Sequence, residues 1–200
     1  MSNVESNVSE RYAQCAQERE EALCCPVDYE PRLLKILPTE IIERDYGCGD
    51  PSRYVREGDT VLDLGSGGGK ICYMAAQLVG DKGKVIGVDM TDEMLALARK
   101  FQSEMADKIG ADLVDFRKGY IQDLALNVDA MNDYLAANPV SDNISLQALE
   151  AWKNQQRSSQ PLVASESIDL VISNCVLNLV AEADRKQMID EIFRVLKPGG

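Results

Sequence analysis

Val61-Leu62-Asp63-Leu64-Gly65-Ser66-Gly67-Gly68-Gly69 is the stretch on which the fold turns. A short apolar run with a carboxylate inside it passes straight into a glycine-rich turn. A helical pattern follows over residues 71–79. Strand, glycine-rich turn and helix, in that order, open a doubly wound α/β domain. Glycine suits the turn because it takes positive φ cheaply and lets a ligand approach the backbone. The turn presents N–H groups at a helix N-terminus, where a ligand can collect them.

Three ligand readings compete at this turn. A dinucleotide fingerprint needs G-x-G-x-x-G/A, and counting from Gly65 the sixth residue is Lys70. A phosphate-binding P-loop needs Gly-Lys followed by a hydroxyl, and Gly69-Lys70 is followed by Ile71. What remains is D-x-G-x-G-x-G, spelled by Asp63, Gly65, Gly67 and Gly69. It resembles motif I of the S-adenosylmethionine-dependent methyltransferases, where the loop wraps the amino-acid end of the cofactor. A glycine-rich βα turn with no ligand is the plain alternative.

A second signal lies downstream. Lys84-Val85-Ile86-Gly87-Val88-Asp89 reads as a strand ending in a carboxylate. An acid about 20 residues past a glycine loop is placed to accept hydrogen bonds from a ribose diol. Asp89 could instead cap the helix expected over residues 93–100, a task for which Thr91 or Asp92 is better placed.

Composition narrows the classes. Two hundred residues suit one domain with a sizeable core. The formal net charge is −12 and there is no histidine. Such a surface repels phosphate backbones, so nucleic acid is not an expected partner. Without histidine, the commonest general base and metal ligand is missing. The polar N-terminus lacks a signal-peptide pattern, and no apolar run is long enough for a membrane span, so a cytoplasmic protein with no membrane partner is expected. The six cysteines, Cys15, Cys24, Cys25, Cys48, Cys72 and Cys175, then read as thiols rather than a disulfide framework.

The rest of the chain is laid out around this core. Residues 1–23 form an amphipathic pattern with apolar positions at Tyr12, Cys15, Ala16 and Leu23, closed by Cys24-Cys25-Pro26. Short helices are expected over residues 31–37 and 40–44. Asp45-Tyr46-Gly47-Cys48-Gly49-Asp50-Pro51 is an irregular loop exposing a thiol and a phenol. Strands are expected at 60–64, 85–89, 113–116 and 168–173. The loop 119–124 carries Asp123, which could reach an adenine amine or cap a helix. Residues 125–166 are too long for an ordinary connection and carry two helical patterns, 128–137 and 146–157. A helix over 182–196 carries Met188, Ile189, Ile192, Phe193 and Leu196 as a core-facing stripe, and Lys197-Pro198-Gly199-Gly200 stops it. Two domains of organisation result: a helical segment with the Tyr-Gly-Cys-Gly loop over 1–57, and an α/β domain over 58–200 with a helical insertion at 125–166.

Over residues 58–200 the chain resembles the class I methyltransferases. Tyr46-Gly47-Cys48-Gly49, Asp63-Leu64-Gly65-Ser66-Gly67, Gly87-Val88-Asp89-Met90-Thr91-Asp92-Glu93-Met94 and Ile172-Ser173-Asn174-Cys175-Val176-Leu177-Asn178-Leu179 together look like the arsenite methyltransferases. The resemblance implies a Rossmann-like α/β fold with a parallel sheet in the order 3-2-1-4, helices on both faces, and further C-terminal strands missing from this chain. It implies S-adenosylmethionine as cofactor, held by Tyr46, Asp63, Gly65, Ser66, Gly67, Asp89, Met90, Asp123 and Asn174. It implies trivalent arsenic bound by Cys48 and Cys175, with a third sulfur from Cys24 or Cys25, and a cellular thiol or thioredoxin-type reductant as partner. Cys72 has a family counterpart with a structural or redox part. The chain departs from the family at Lys70-Ile71-Cys72-Tyr73, where Arg-Asp-Cys-Tyr is usual, and in its longer insertion. Two further readings stand beside this one: methyl transfer to a small organic acceptor, and a cofactor- or metalloid-binding protein without turnover.

Overall fold

The computed structural model describes residues 3–17, 28–44 and 46–200, with side chains omitted at residues 3–5 and 17. Among the described residues four parallel strands form the sheet: β1 (Thr60–Leu64), β2 (Lys84–Asp89), β3 (Val114–Lys118) and β4 (Leu170–Ser173). Their spatial order is β3-β2-β1-β4, as the resemblance implied. Val61 lies opposite Val85 on one side and Leu170 on the other. The chain therefore leaves β1 at the point where the strand order reverses, and the glycine turn sits in the crevice beyond the strand ends.

Strand periodicity sends alternate side chains to opposite faces. Val61, Val85, Val114 and Phe116 join Tyr73, Met74, Leu95 and Met105 in one core. That face is covered by α4 (Lys70–Ala76), α5 (Asp92–Lys100) and α6 (Gln102–Ile109). Leu62, Leu64, Ile86 and Val88 join Leu124, Val163, Ile168 and Val195 in the other. There the cover comes from α9 (Arg185–Val195) and from the chain re-entering the domain at Leu162 and Val163. Every residue of α4 is buried, Lys70 among them, its ammonium 3.4 Å from the centre of the Tyr29 ring.

The N-terminal part supplies α1 (Asn3–Gln17), α2 (Pro31–Leu34) and α3 (Thr39–Glu43). Arg44 ties α1 down by donating to the Ala16 carbonyl oxygen at 2.6 Å while pairing with Glu40 at 2.8 Å. The stretch expected to end the first helix, Leu23 to Pro26, lies outside the described residues.

The insertion holds α7 (Val128–Ala137) and α8 (Asn143–Ser159). Asp142 caps α8 by accepting from the Ser145 N–H, and the Ser145 hydroxyl answers as acceptor for the Asp142 N–H. Trp152 stacks on Tyr134 with centroids 4.6 Å apart, which joins the two helices. No residue of α8 is buried.

Three expectations change. The helix α6 was not read, because Gln102–Ile109 follows α5 with only Phe101 between them and no Gly or Pro to mark the break. β4 is shorter than residues 168–173, since Ile168 pairs as a bridge with Leu196 instead. The stripe on α9 is split. Met188 is buried and Ile192 packs on the core, but Ile189 and Phe193 are 56% and 82% exposed. They lie one position further round the helix, outside the face that packs on the core.

Candidate active site

The glycine turn is held from both sides. Gly65, Gly67 and Gly69 all take positive φ, at 74°, 51° and 85°. A Cβ on Gly65 would come within 2.8 Å of Val176, so the turn needs glycine there for space as well as for φ. Asp89, at the end of β2, receives the Gly67 N–H on one carboxylate oxygen and the Thr91 N–H on the other, each at 2.9 Å. This fixes the turn against the start of α5. Thr91 is the residue before that helix, yet its side chain makes no capping bond; its N–H is the group that Asp89 holds. Burial pushes the Asp89 carboxyl above its ordinary value, and the backbone N–H groups from Thr91 and Gly67 oppose that shift.

A crevice in two lobes opens over this turn. The larger lobe has Gly65, Gly67, Asp89 and Met90 on one side, and Gly119, Ile121 and Gln122 on another. Its apolar cover is Val8 and Tyr12 from α1 together with Val176, Leu179 and Val180 beyond β4. One carboxylate within apolar walls suits a nucleoside, whose base is apolar on its faces and whose ribose donates hydroxyl protons.

The smaller lobe continues from it past Gly65 and Gly67 to Asp63, Ser66, Tyr46, Gly47 and Asn174. Asp63 is buried and accepts from the Cys72 thiol at 3.3 Å. Ser66 is the informative residue. Its hydroxyl is buried and has no hydrogen-bond partner among the described residues, and Ser66 lines this lobe. A buried hydroxyl without a partner is costly unless a ligand or water completes it. Tyr46 donates its hydroxyl proton to the Cys15 carbonyl oxygen at 3.0 Å and meets Tyr12 edge-on, so it joins α1 to the lobe wall.

Beyond this lobe lies the cysteine pair. Cys48 and Cys175 are 127 positions apart, yet they are joined as a disulfide with Cα atoms 6.1 Å apart. Both residues are exposed. Asn174 brings them together: its side-chain oxygen accepts from the Cys48 N–H at 2.9 Å, and its amide donates to the Gly49 carbonyl oxygen at 2.8 Å. Gly47 must be glycine for this clamp, because a Cβ there would stand 2.2 Å from the Asn174 amide nitrogen. Cys175 follows in the left-handed region at φ 61°, an uncommon place for a residue with a Cβ. Reduced, the pair offers two soft sulfur ligands next to the small lobe.

The site residues expected from the sequence therefore divide. Tyr46, Asp63, Gly65, Ser66, Gly67, Asp89, Met90 and Asn174 all line the crevice, and Cys48 and Cys175 meet at its rim. Cys24 and Cys25 lie outside the described residues. Asp123 does not line the crevice. Its carboxylate turns the other way and takes two nitrogens of Arg157 from α8, the closer at 2.8 Å. The cause is local: the turn from Tyr120 to Asp123 points Ile121 and Gln122 inward, which leaves Asp123 on the outside. Asn174, expected to touch a cofactor, lines the lobe while its side chain bonds to the cysteine loop. Sequence reading missed Val8, Tyr12 and Arg44, which line the crevice from the N-terminal segment. Only the apolar position at Tyr12 gave any signal of it.

Known proteins bear on this geometry. Two family models described as a methyltransferase domain match residues 56–152 and 133–200. The arsenite methyltransferase of Aquipseudomonas alcaligenes is 38% identical over 181 residues, covering 88% of this chain and 42% of that protein. The arsenite methyltransferase of Mus musculus is 37% identical over 163 residues, covering 80% of this chain and 34% of that one. Among solved structures, the crystal structure of CrArsM, an arsenic (III) S-adenosylmethionine methyltransferase from Chlamydomonas reinhardtii, superposes with a TM-score of 0.61 at 34% identity. It matches 86% of this chain and 48% of its own. The chain spans under half the length of these relatives. Fold, glycine turn and sequence identity across most of its length place this chain in the arsenite methyltransferase family of class I methyltransferases.

Proposed function

We propose that the chain is the cofactor-binding part of an S-adenosylmethionine-dependent methyltransferase whose methyl acceptor is trivalent arsenic. The observation that carries the reading is the adjacency of the crevice to the cysteine pair: Gly47 and Asn174, the immediate neighbours of Cys48 and Cys175, line the lobe that holds Asp63 and Ser66. The residues fit the cofactor. The Ser66 hydroxyl, without a partner among the described residues, supports a ligand in the small lobe, and Asp89 lies in the apolar one.

When bound, S-adenosylmethionine supplies an electrophilic methyl on a sulfonium. Asp89 would accept from the ribose hydroxyls and Met90 would pack beside the sugar. Asp63, Gly65, Ser66 and Gly67 would hold the amino-acid end. Tyr46 and Tyr12 would close over it and exclude water. Reduced Cys48 and Cys175 would hold the acceptor, because trivalent arsenic is soft and prefers thiolates to harder ligands. The arsenic lone pair would accept that methyl as the sulfonium carbon–sulfur bond breaks and S-adenosylhomocysteine leaves, so no residue would have to remove a proton, in keeping with a chain without histidine. Positioning then supplies most of the rate. A third sulfur would come from Cys24 or Cys25.

The disulfide has to be opened before arsenic can enter. A thiol or thioredoxin-type reductant would deliver two electrons and two protons to Cys48 and Cys175 and leave as its own disulfide. That requirement favours a reducing compartment, and we place the protein in the cytoplasm. Among the described residues no helix is long and apolar enough to cross a membrane.

The test is product analysis. Reduced chain, methyl-labelled S-adenosylmethionine and arsenite should give labelled methylarsenic, and Cys48→Ser or Cys175→Ser should abolish it. Product formed equally by both serine variants would remove arsenic from the reading and point to another acceptor.

A further inference from the structure

Helix α8 of the insertion reaches the cofactor crevice through an ion pair. The turn that closes the far side of the large lobe runs from Tyr120 to Asp123. It is pinned by the Asp123 N–H donating to the Tyr120 carbonyl oxygen at 3.0 Å, with Ile121 and Gln122 at its tip facing the lobe. On its outer side, Asp123 is 9% exposed and is gripped by Arg157 of α8 through Nε at 3.2 Å and Nη2 at 2.8 Å. The guanidinium is itself oriented by the Asn154 side chain, which accepts from Nη1 at 3.1 Å. A fork-shaped donor on a buried carboxylate fixes direction as well as distance. Both ends of the insertion are tied beside the same turn: the Leu162 N–H donates to Ala125 at 3.1 Å and the Val163 N–H to Leu124 at 2.8 Å. Helix α8 buries none of its own residues. Its charged grip on Asp123 is therefore out of proportion to its packing.

We infer that Arg157 is a positioning residue for the cofactor: through Asp123 it holds the Ile121-Gln122 tip against the nucleoside lobe, so that the inserted helix pair sets cofactor affinity without touching the cofactor. The inference rests on the crevice being the S-adenosylmethionine site. Arg157→Ala releases the turn from outside and leaves the lobe lining chemically unchanged. Alanine suits a helix, so α8 itself is not weakened.

The test is calorimetric titration of S-adenosylmethionine into the reduced chain. Arg157→Ala and Asp123→Asn should each weaken binding about ten-fold, the scale of coupling through a packed network. The double variant should bind no more weakly than either single one, because both remove the same link. Arg157→Lys keeps the charge but not the fork and should recover part of the loss. A general loss of structure would give additive effects with no recovery by lysine, so that pattern overturns the inference. Wild-type affinity in Arg157→Ala also overturns it, with the crevice reading intact. Failure of the wild-type chain to bind removes the crevice reading and the inference with it.

Discussion

Gly47→Ala attacks the clamp that brings the cysteines together. The new Cβ would stand 2.2 Å from the Asn174 amide nitrogen and 2.9 Å from its Cγ, with the Tyr29 hydroxyl 3.2 Å away on another side. The side chain of Asn174 is the part that can move. If it swings out, two bonds go: the one it accepts from the Cys48 N–H and the one it donates to the Gly49 carbonyl oxygen. At about 1 kcal/mol net each, the loop loses about 2 kcal/mol of its hold on the end of β4. Cys48 is then less often within reach of Cys175. The dithiol should close about 30-fold less favourably, which corresponds to a reduction potential higher by about 40 mV. The assay is equilibration with glutathione buffers of graded ratio, acid quenching, and mass analysis of the oxidised and reduced chain. Asn174→Ala should give a similar shift, and adding Gly47→Ala to it should change little, since the clash partner is gone. An unchanged equilibrium in Gly47→Ala, or full additivity of the two changes, would refute the clamp.

Two other expectations concern acids and thiols. Asp89→Asn removes a carboxylate placed to accept from the ribose, and S-adenosylmethionine affinity should fall by roughly 10- to 100-fold, the value of a hydrogen bond to a charged group; titration calorimetry reads it. Because burial raises the Asp89 pKa, wild-type affinity should also fall as pH drops through that raised value, with a proton released on binding in that window. The sign for stability is opposite: between the ordinary and the raised value the folded chain binds more protons than the unfolded one, so Asp89 contributes less stability as pH rises through it. Cys72 is fully buried and its thiol is pushed well above its ordinary value by burial and by Asp63. After mild reduction, iodoacetamide should modify Cys48 and Cys175 within minutes and spare Cys72 until the chain unfolds, as peptide mass mapping would show.

Much of the fold was legible because the central strands are read by a simple rule. β1 and β2 are buried on both faces, so they appear as apolar runs, interrupted only by Asp63 and Gly87, that end at the glycine turn and at Asp89. The helices of the insertion were equally plain from their periodicity. What failed was direction. Sequence spacing put Asp123 on a loop near the crevice, but a four-residue turn decides which side chains face in, and here it is Ile121 and Gln122. On α9, periodicity grouped Ile189 and Phe193 with Met188, though only the neighbouring layer decides which of them is covered. The break at Phe101 left no mark, since both flanking segments favour helix. Cys48 and Cys175 are 127 residues apart, and nothing local joins them; only the resemblance of their surrounding motifs to a known family did so. The Arg157 grip on Asp123 had no sequence signal at all.

The account turns on the claim that Cys48 and Cys175 hold the acceptor. X-ray absorption at the arsenic edge, on reduced chain with less than one equivalent of arsenite, tests it most directly. The account predicts arsenic surrounded by sulfur in the wild type, and a shift toward oxygen neighbours in both Cys48→Ser and Cys175→Ser. Oxygen-only neighbours in the wild type, or a sulfur shell unchanged by both substitutions, would contradict it.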